Sequence, residues 1–329
     1  MDVKNKDNLL EYFKNKKIQQ ITHSDLDGIG SLLIGKYYIE PIVSKFNYLI
    51  TDHGFTSNDF DTNVDIIVYT DISPTKELYD EIKNKGIVQL LFDHHMTSYN
   101  TFYNLIDNFY WDITRCGTKI LFDELNQNKR TNRCVSQFVE LVNIFDSWQQ
   151  QSLLWYDAKS LSNCMFEYKN YSTKDENKSH DTFINIQLYK FDNFKSFSFT
   201  TEEKHSILNA EKKEAKALLE AKKSLQKRVD NEGNNYIYFE CMSKISLTAS
   251  ILMKEYLDQD IKYYVCRSLY AFKKGMYSFS IRSPETSRIN CSTIAEKYKC
   301  GGHTKAAGID FTNNKEFYFD IVNGVKHLI

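Results

Sequence analysis

The chain reads as an α/β protein: an N-terminal domain with a mostly parallel sheet and helices on both faces, a long connecting helix, and a smaller C-terminal α/β domain. Three observations predict this. Strand-like apolar runs at 18–24, 46–51, 64–70 and 87–92 alternate with helical stretches near 28–39 and 75–84, the pattern of parallel strands joined by crossover helices. A charge-rich segment with helical periodicity follows from Thr200 to Asn231. The 329 residues suffice for two cores, since a single core stops growing near ~250–300 residues.

In chain order, Asn8 to Lys16 reads as a short helix, and Ile18-Gln19-Gln20-Ile21-Thr22 as the first strand. Gly28, Gly30 and Ser31 open the next helical run. Val64 to Thr70 is strand-like, and Ser73-Pro74 after it is a helix-start signal. Ile87-Val88-Gln89-Leu90-Leu91 has the length and branched content of a buried strand. Helices at about 116–127 and 135–147 complete the first domain, assigned to 1–199. Its last part, about 150–199, is rich in Asn, Ser, Lys and Tyr and reads as a polar insertion or loop, with His180 solvated.

The connecting helix is assigned to 200–232. Thr201 is its expected cap, Glu202 and Glu203 suit its positive end, and Leu208, Ala215, Leu218, Leu225 and Val229 form its expected apolar stripe. The second domain, 233–329, starts after the turn cluster Asn231 to Asn235. Tyr236–Glu240, Tyr263–Arg267 and Tyr277–Arg282 read as strands, and Thr248–Leu257 as a helix.

Composition excludes several classes. A net charge of −1 argues against a general basic nucleic-acid binder, so any such contact must be local and a short substrate is easier to serve than a long duplex. Seven cysteines, an odd number without a Cys-x-x-Cys pair, imply no disulfide framework and suit a reducing compartment. No run approaches the ~18–20 apolar residues of a membrane span. These features predict a cytoplasmic protein with no membrane partner. A homodimer is left open.

Four clusters carry the candidate chemistry. Phe92-Asp93-His94-His95 follows a buried strand, at the strand end where open α/β sheets bind their ligands. His23-Ser24-Asp25-Leu26-Asp27-Gly28 follows the first strand; alternation in an extended segment would point His23, Asp25 and Asp27 to one side. Asp71 closes the third strand. Asp146 ends an apolar-periodic segment through Val135, Phe138, Val139, Val142 and Phe145, with Trp148 nearby. Taken singly, each has an ordinary reading: Asp71 as a helix cap, Asp146 as a surface acid, His23 as a core histidine, and Asp-His-His as a polar loop end.

Together, and in this order, His-x-Asp-x-Asp-Gly, an Asp after an apolar strand, Asp-His-His and a later Asp with a nearby Trp resemble the four metal-binding motifs of the DHH phosphoesterase superfamily. That family includes RecJ-type exonucleases, nano-RNases, cyclic-dinucleotide phosphodiesterases and family II pyrophosphatases. Thr114-Arg115-Cys116-Gly117-Thr118-Lys119-Ile120-Leu121 looks like the small-residue helix start that follows Asp-His-His in many members. A second resemblance, to the DHH-associated substrate-binding domain, rests on Ser280-Ile281-Arg282-Ser283, Ile294 to Tyr298, and Gly301-Gly302-His303 through Gly308. Lys299 and Cys300 replace the first two of the four glycines usual there.

The resemblance implies a metal-dependent phosphodiesterase that hydrolyses short RNA or DNA oligonucleotides, or linear or cyclic dinucleotides, to mononucleotides. By that analogy His23 and Asp25 hold one metal, Asp27, His94 and Asp146 the other, and Asp71 bridges them. Asp93 orients a histidine, and His95 acts as general acid or electrostatic stabiliser. Arg282, Ser283, Gly301, Gly302 and His303 of the C-terminal domain bind the substrate. Oxygen-rich ligands with some imidazole suit two Mn²⁺, with Mg²⁺ as the alternative. The competing functions are a RecJ-type single-strand exonuclease, a pyrophosphatase and a non-catalytic nucleotide-binding protein.

Overall fold

Alternate residues along the first strands are apolar on both sides, so the sheet they form must be covered on both faces. The computed structural model describes residues 8–51, 55–106, 108–126, 131–173, 175–230, 232–258, 260–273, 275–298, 300 and 302–312. The chain divides into two compact units, Met1–Ile207 and Leu208–Ile329.

The first unit runs α1 (Leu9–Phe13), β1 (Lys17–Thr22), α2 (Leu26–Ile34), β2 (Lys45–Ile50), β3 (Ile66–Thr70), α3 (Lys76–Asn84), β4 (Val88–Asp93), α4 (Met96–Phe102), β5 (Phe109–Trp111), α5 (Gly117–Leu125), α6 (Arg133–Asp146), α7 (Trp155–Tyr168), α8 (Glu176–Ser179) and α9 (Asp181–Asn193). The strands are all parallel, in the order β2-β1-β3-β4-β5. Ile18, Ile66, Val68, Leu90 and Phe92 face the core shared with α2, α5 and α6; Ile21, Ile67, Tyr69 and Leu91 face the core beside α3 and α4. Each such fully buried side chain contributes about 1.5–3 kcal/mol. A π-helical turn, Gly35–Ile39, extends α2, and the three-residue β5 was not anticipated from sequence.

The region 150–199, expected as a polar insertion or loop, is instead largely helical. In α7 the buried residues are Ala158, Ser160, Leu161, Ser162, Asn163, Cys164 and Met165; in α9 they are Phe183, Ile184, Gln187, Lys190 and Phe191. Polar residues sit on the buried faces of both helices, which hides the apolar period. Lys190 and Glu203, both fully buried, pair at 3.1 Å, and Gln187 Nε2 donates to the same carboxylate at 2.8 Å. His180, read as solvated, is fully buried at the start of α9, with Nε2 3.8 Å from Glu176 Oε2. Asn177 binds the edge strand β2 through Ile50 N and Tyr48 O, which occupies backbone groups that would otherwise be open to pairing.

The long helix α10 (Thr201–Ser224) contains the division between the units. Its cap is Thr200 rather than Thr201: Glu203 N donates to Thr200 Oγ1 at 3.2 Å, and Thr200 N donates to Glu203 Oε2 at 2.8 Å. It ends seven residues before Asn231 because the chain turns into β6 (Gln226–Val229). The buried stripe is Glu203, Ile207, Ala210, Ala217 and Ala221, whereas Leu208 and Val229 are exposed. Beyond Ile207 the packed face is marked mainly by small alanines, with the expected Leu218 partly buried against the same core as Ala217 and Ala221.

The second unit continues with β7 (Asn235–Cys241), α11 (Ile245–Glu255), β8 (Ile261–Ser268), α12 (Leu269–Lys273), β9 (Met276–Arg282), α13 (Cys291–Glu296), β10 (Gly302–His303) and β11 (Ala306–Thr312). Its sheet order is β10-β11-β9-β8-β7-β6, antiparallel except for the parallel β7–β8 pair. All seven cysteines are free thiols. Among the described residues no helix is long and apolar enough to cross a membrane.

Candidate metal centre

The C-terminal ends of β1, β3 and β4 converge, and the side chains that follow each strand face one another. After β1, His23 leads into Asp25, which caps α2 by accepting the Gly28 amide on Oδ1 at 3.0 Å. Asp27 lies in the first turn of α2. His23, Asp25 and Asp27 therefore do not alternate along an extended segment, as expected from sequence, but are spread over a strand end, a cap and a helical turn. Gly28 permits this turn: a Cβ there would collide with the His23 carbonyl.

Asp27 is 1% exposed, and its carboxylate sits on the N-terminus of α5. Gly117 N donates to Oδ2 at 2.6 Å and Thr118 N to Oδ1 at 2.7 Å, while the Thr118 hydroxyl donates to the Asp27 carbonyl. Asp71 follows β3 directly in a left-handed conformation, φ 57°, with its amide held by the Phe92 carbonyl at 3.0 Å. It does not cap α3, whose cap is Thr75. Asp146 is the last residue of α6, just ahead of Trp148, which also has a positive φ of 54°.

Two groups of ligating atoms form, each with all atoms within 4.8 Å of one another: His23, Asp25 and Asp71 in one, Asp27, His94 and Asp146 in the other. His23 Nδ1 lies 3.0 Å from Asp25 Oδ2 and 3.7 Å from Asp71 Oδ2. His94 Nε2 lies 3.4 Å from Asp146 Oδ2 and 3.5 Å from Asp71 Oδ1, so Asp71 reaches both groups with different oxygens. Asp71, Asp93, His94 and His95 make a third set under the same limit.

Asp93 is fully buried and spends its oxygens on positioning. Oδ1 accepts from the His94 and His95 amides and from His95 Nδ1 at 2.7 Å, and Oδ2 accepts from the Ser98 hydroxyl. Burial works against its ionisation, but the bonds from His95 and Ser98 prevail and hold the carboxyl below its usual range. Burial likewise opposes charge on His95, yet the bond to Asp93 raises the imidazole to about 9. Burial, then the charge on His95, lowers His94. Asp25 is depressed despite burial, chiefly by the charge and hydrogen bond of His23.

Asp71 and Asp146 behave in the opposite way. Burial first, and then the neighbouring carboxylates Asp25 and Asp27, push both well above the normal carboxyl range. One oxygen of each, Oδ2, is buried and accepts no hydrogen bond. Crowded acids with unsatisfied oxygens, beside imidazole nitrogens, are the donor set of a divalent-cation site, and the residues present fit such an ion.

The sequence reading missed the groups that hold these ligands: the amides of Gly117 and Thr118, the Ser98 hydroxyl, and Asn143, whose Oδ1 accepts the Cys116 amide at 3.0 Å. Cys116-Gly117-Thr118 before an apolar-periodic run is an anion-accepting helix start, and that signal was available.

The other candidate residues lie in the second unit. Arg282 donates through Nε to Ser250 Oγ at 3.2 Å and through Nη1 to the Ile281 carbonyl at 2.9 Å. Ser283, expected to bind substrate, is buried and donates its hydroxyl to the Ile289 carbonyl at 3.0 Å, an internal role. Gly302 has a positive φ of 153°, and a Cβ there would lie 2.5 Å from Ala307 Cα, so the hairpin itself requires glycine. Gly301 and the side chain of His303 lie outside the described residues.

No protein-family model matches this chain, and no curated protein matches it. Solved structures do. The DHH domain of a member of a ribosomal protein family aligns with a TM-score of 0.62 at 11% identity, over 91% of this chain and 84% of that one. The exonuclease RecJ bound to manganese aligns at 0.54 and 14% identity, over 94% and 89%. A pGpG-specific phosphodiesterase, PggH from Vibrio cholerae, aligns at 0.52 and 14%, over 90% and 94%. Across about nine-tenths of its length, this chain therefore has the fold of the DHH-domain proteins.

Proposed function

We propose that this chain is a divalent-metal-dependent phosphodiesterase that hydrolyses short oligonucleotides, or linear or cyclic dinucleotides, to mononucleotides. The observation that carries this reading is the meeting of His23, Asp25, Asp27, Asp71, His94 and Asp146 at the strand ends, with buried carboxylate oxygens on Asp71 and Asp146 that accept no hydrogen bond. In this reading His23 and Asp25 hold one ion, Asp27, His94 and Asp146 hold the other, and Asp71 contributes to both. Two Mn²⁺ are the first choice, with Mg²⁺ as the alternative.

Such a pair supplies a deprotonated water at neutral pH and neutralises phosphoryl oxygens. The protein groups do the rest. Asp93 fixes the His95 ring through Nδ1 and favours its protonated form, so the imidazole can give a proton to the leaving oxygen. The α5 amides hold Asp27 in place, as outer hydrogen bonds commonly hold a ligating carboxylate. Arg282 is proposed to bind the anionic substrate, so Arg282→Ala raises KM and leaves kcat near the wild-type value.

The test offers pyrophosphate, pApA, a five-mer RNA and a long single strand to the Mn²⁺-loaded protein. Mononucleotides released from pApA and the five-mer support the proposal. Phosphate from pyrophosphate alone, or stoichiometric capture of a dinucleotide without turnover, overturns it.

A further inference from the structure

His95, Tyr99 and Tyr103 fall at four-residue intervals along α4. The Tyr99 amide donates to the His95 carbonyl at 3.1 Å, and the Tyr103 amide to the Tyr99 carbonyl at 3.0 Å, so the three side chains share one stripe of the helix. Four helical residues advance about 6 Å. Trp111, at the end of β5, joins the row: its indole N–H donates to the same His95 carbonyl at 3.3 Å, and its ring centroid lies 4.3 Å from that of Tyr99. The Tyr99 and Tyr103 rings are 4.4 Å apart.

The row starts at the imidazole assigned the proton-transfer role and runs outward. Tyr99 and Trp111 are partly buried against the core beside α3, which fixes the inner rings, whereas Tyr103 is 58% exposed. A seal for the sheet edge would not need the outer ring in solvent. The helix sequence Met-Thr-Ser-Tyr-Asn-Thr-Phe carries no charge of its own. The three rings touch one another in sequence, so the aromatic surface most open to a flat ligand is that of Tyr103. A duplex hides the faces of its bases, whereas an unpaired strand presents them.

We infer that Tyr103, backed by the rings of Tyr99 and Trp111, is a stacking platform for an unpaired base of the strand whose phosphodiester is cut. The inference rests on the phosphodiesterase reading and narrows its substrate class to single strands long enough to reach Tyr103. A dinucleotide gains less from that ring than a five-mer.

The test compares wild type, Tyr103→Ala and Tyr103→Phe. Binding of a labelled five-mer single strand is followed by fluorescence anisotropy in EDTA, where turnover is absent. Turnover of the five-mer, pApA and the base-free bis-p-nitrophenyl phosphate is followed in Mn²⁺. Tyr103→Ala is expected to weaken five-mer binding roughly 5- to 150-fold, and Tyr103→Phe to retain it. The loss in kcat/KM should be larger for the five-mer than for pApA or the base-free diester. Equal five-mer binding by Tyr103→Ala and wild type, or no binding by wild type, overturns the platform. So does a self-association lost in Tyr103→Ala while five-mer binding is kept. Failure of wild type to cleave any of the three diesters in Mn²⁺ would instead reject the phosphodiesterase reading, while the binding arm still judges the platform.

Discussion

Gly117 donates its backbone N–H to Asp27 Oδ2 at 2.6 Å, joining residues 90 positions apart in the chain. The contact depends on the missing side chain. A Cβ at this position would lie 3.1 Å from Asp27 Oδ2 and 3.1 Å from the Asp71 amide nitrogen, so an added methyl presses on two candidate ligands at once. Gly117→Ala should lower divalent-metal affinity by roughly 10- to 100-fold, the usual scale for disturbing a ligand's support. Calorimetric titration with Mn²⁺ measures this, and unchanged affinity would show that the α5 amides do not position Asp27.

Asp71 touches both ligand groups, so its charge matters more than its shape. Asp71→Asn keeps the side-chain volume and removes the charge. Metal-dependent turnover should be abolished, while the thermal midpoint in EDTA rises because a buried repulsion among carboxylates is relieved. Turnover at the wild-type rate would remove Asp71 from the mechanism, and a lowered midpoint in EDTA would contradict the crowding of charge.

The same crowding sets a pH dependence for the metal-free protein. Burial and neighbouring acids raise Asp71 and Asp146 above their unfolded value of 3.8, so folding binds protons more tightly; the stability they contribute is complete below 3.8 and is lost as pH rises through the folded values. His95, raised to about 9 by Asp93 against its burial, acts in the same sense: full below 6.5 and lost through about 9. Asp25 and Asp93 are depressed, so their opposite contribution disappears only as pH falls below 3.8. The lowered His94 opposes the trend below 6.5. In EDTA the thermal midpoint should therefore fall between pH 6.5 and 9, and saturating Mn²⁺ should flatten that slope. A midpoint that rises over this interval in EDTA would contradict the ionisation pattern.

Lys190 and Glu203 form an ion pair with both side chains fully buried, and the Lys190 ammonium also lies 3.8 Å from the centre of the Phe197 ring. Lys190→Met strands a carboxylate in the core and should cost about 3–5 kcal/mol. Adding Glu203→Gln should recover much of that loss. Urea midpoints of the two variants decide it: a double variant no more stable than the single one would show that the penalty is packing, not charge.

The parallel sheet was legible because β3 and β4 are largely apolar runs buried on both faces, β1 sends Ile18 and Ile21 to opposite cores, and the polar residues that follow each strand stand out against them. Asp71 could be located from sequence, but its left-handed backbone could not, since no glycine or asparagine marks it. The helices of 150–199 were hidden by Ser160, Asn163, Gln187 and Lys190, polar residues buried inside the fold. The anchoring of Asp27 was only half legible: the small-residue start at Cys116-Gly117-Thr118 marks amides that accept an anion, but not which acid they hold.

Six side chains from four segments are proposed to hold divalent cations. Anomalous diffraction at the manganese edge, from crystals grown with Mn²⁺, tests this most directly. Two peaks are predicted, one bounded by His23, Asp25 and Asp71 and the other by Asp27, His94, Asp146 and Asp71. No peak among these residues at saturating Mn²⁺ would contradict the account.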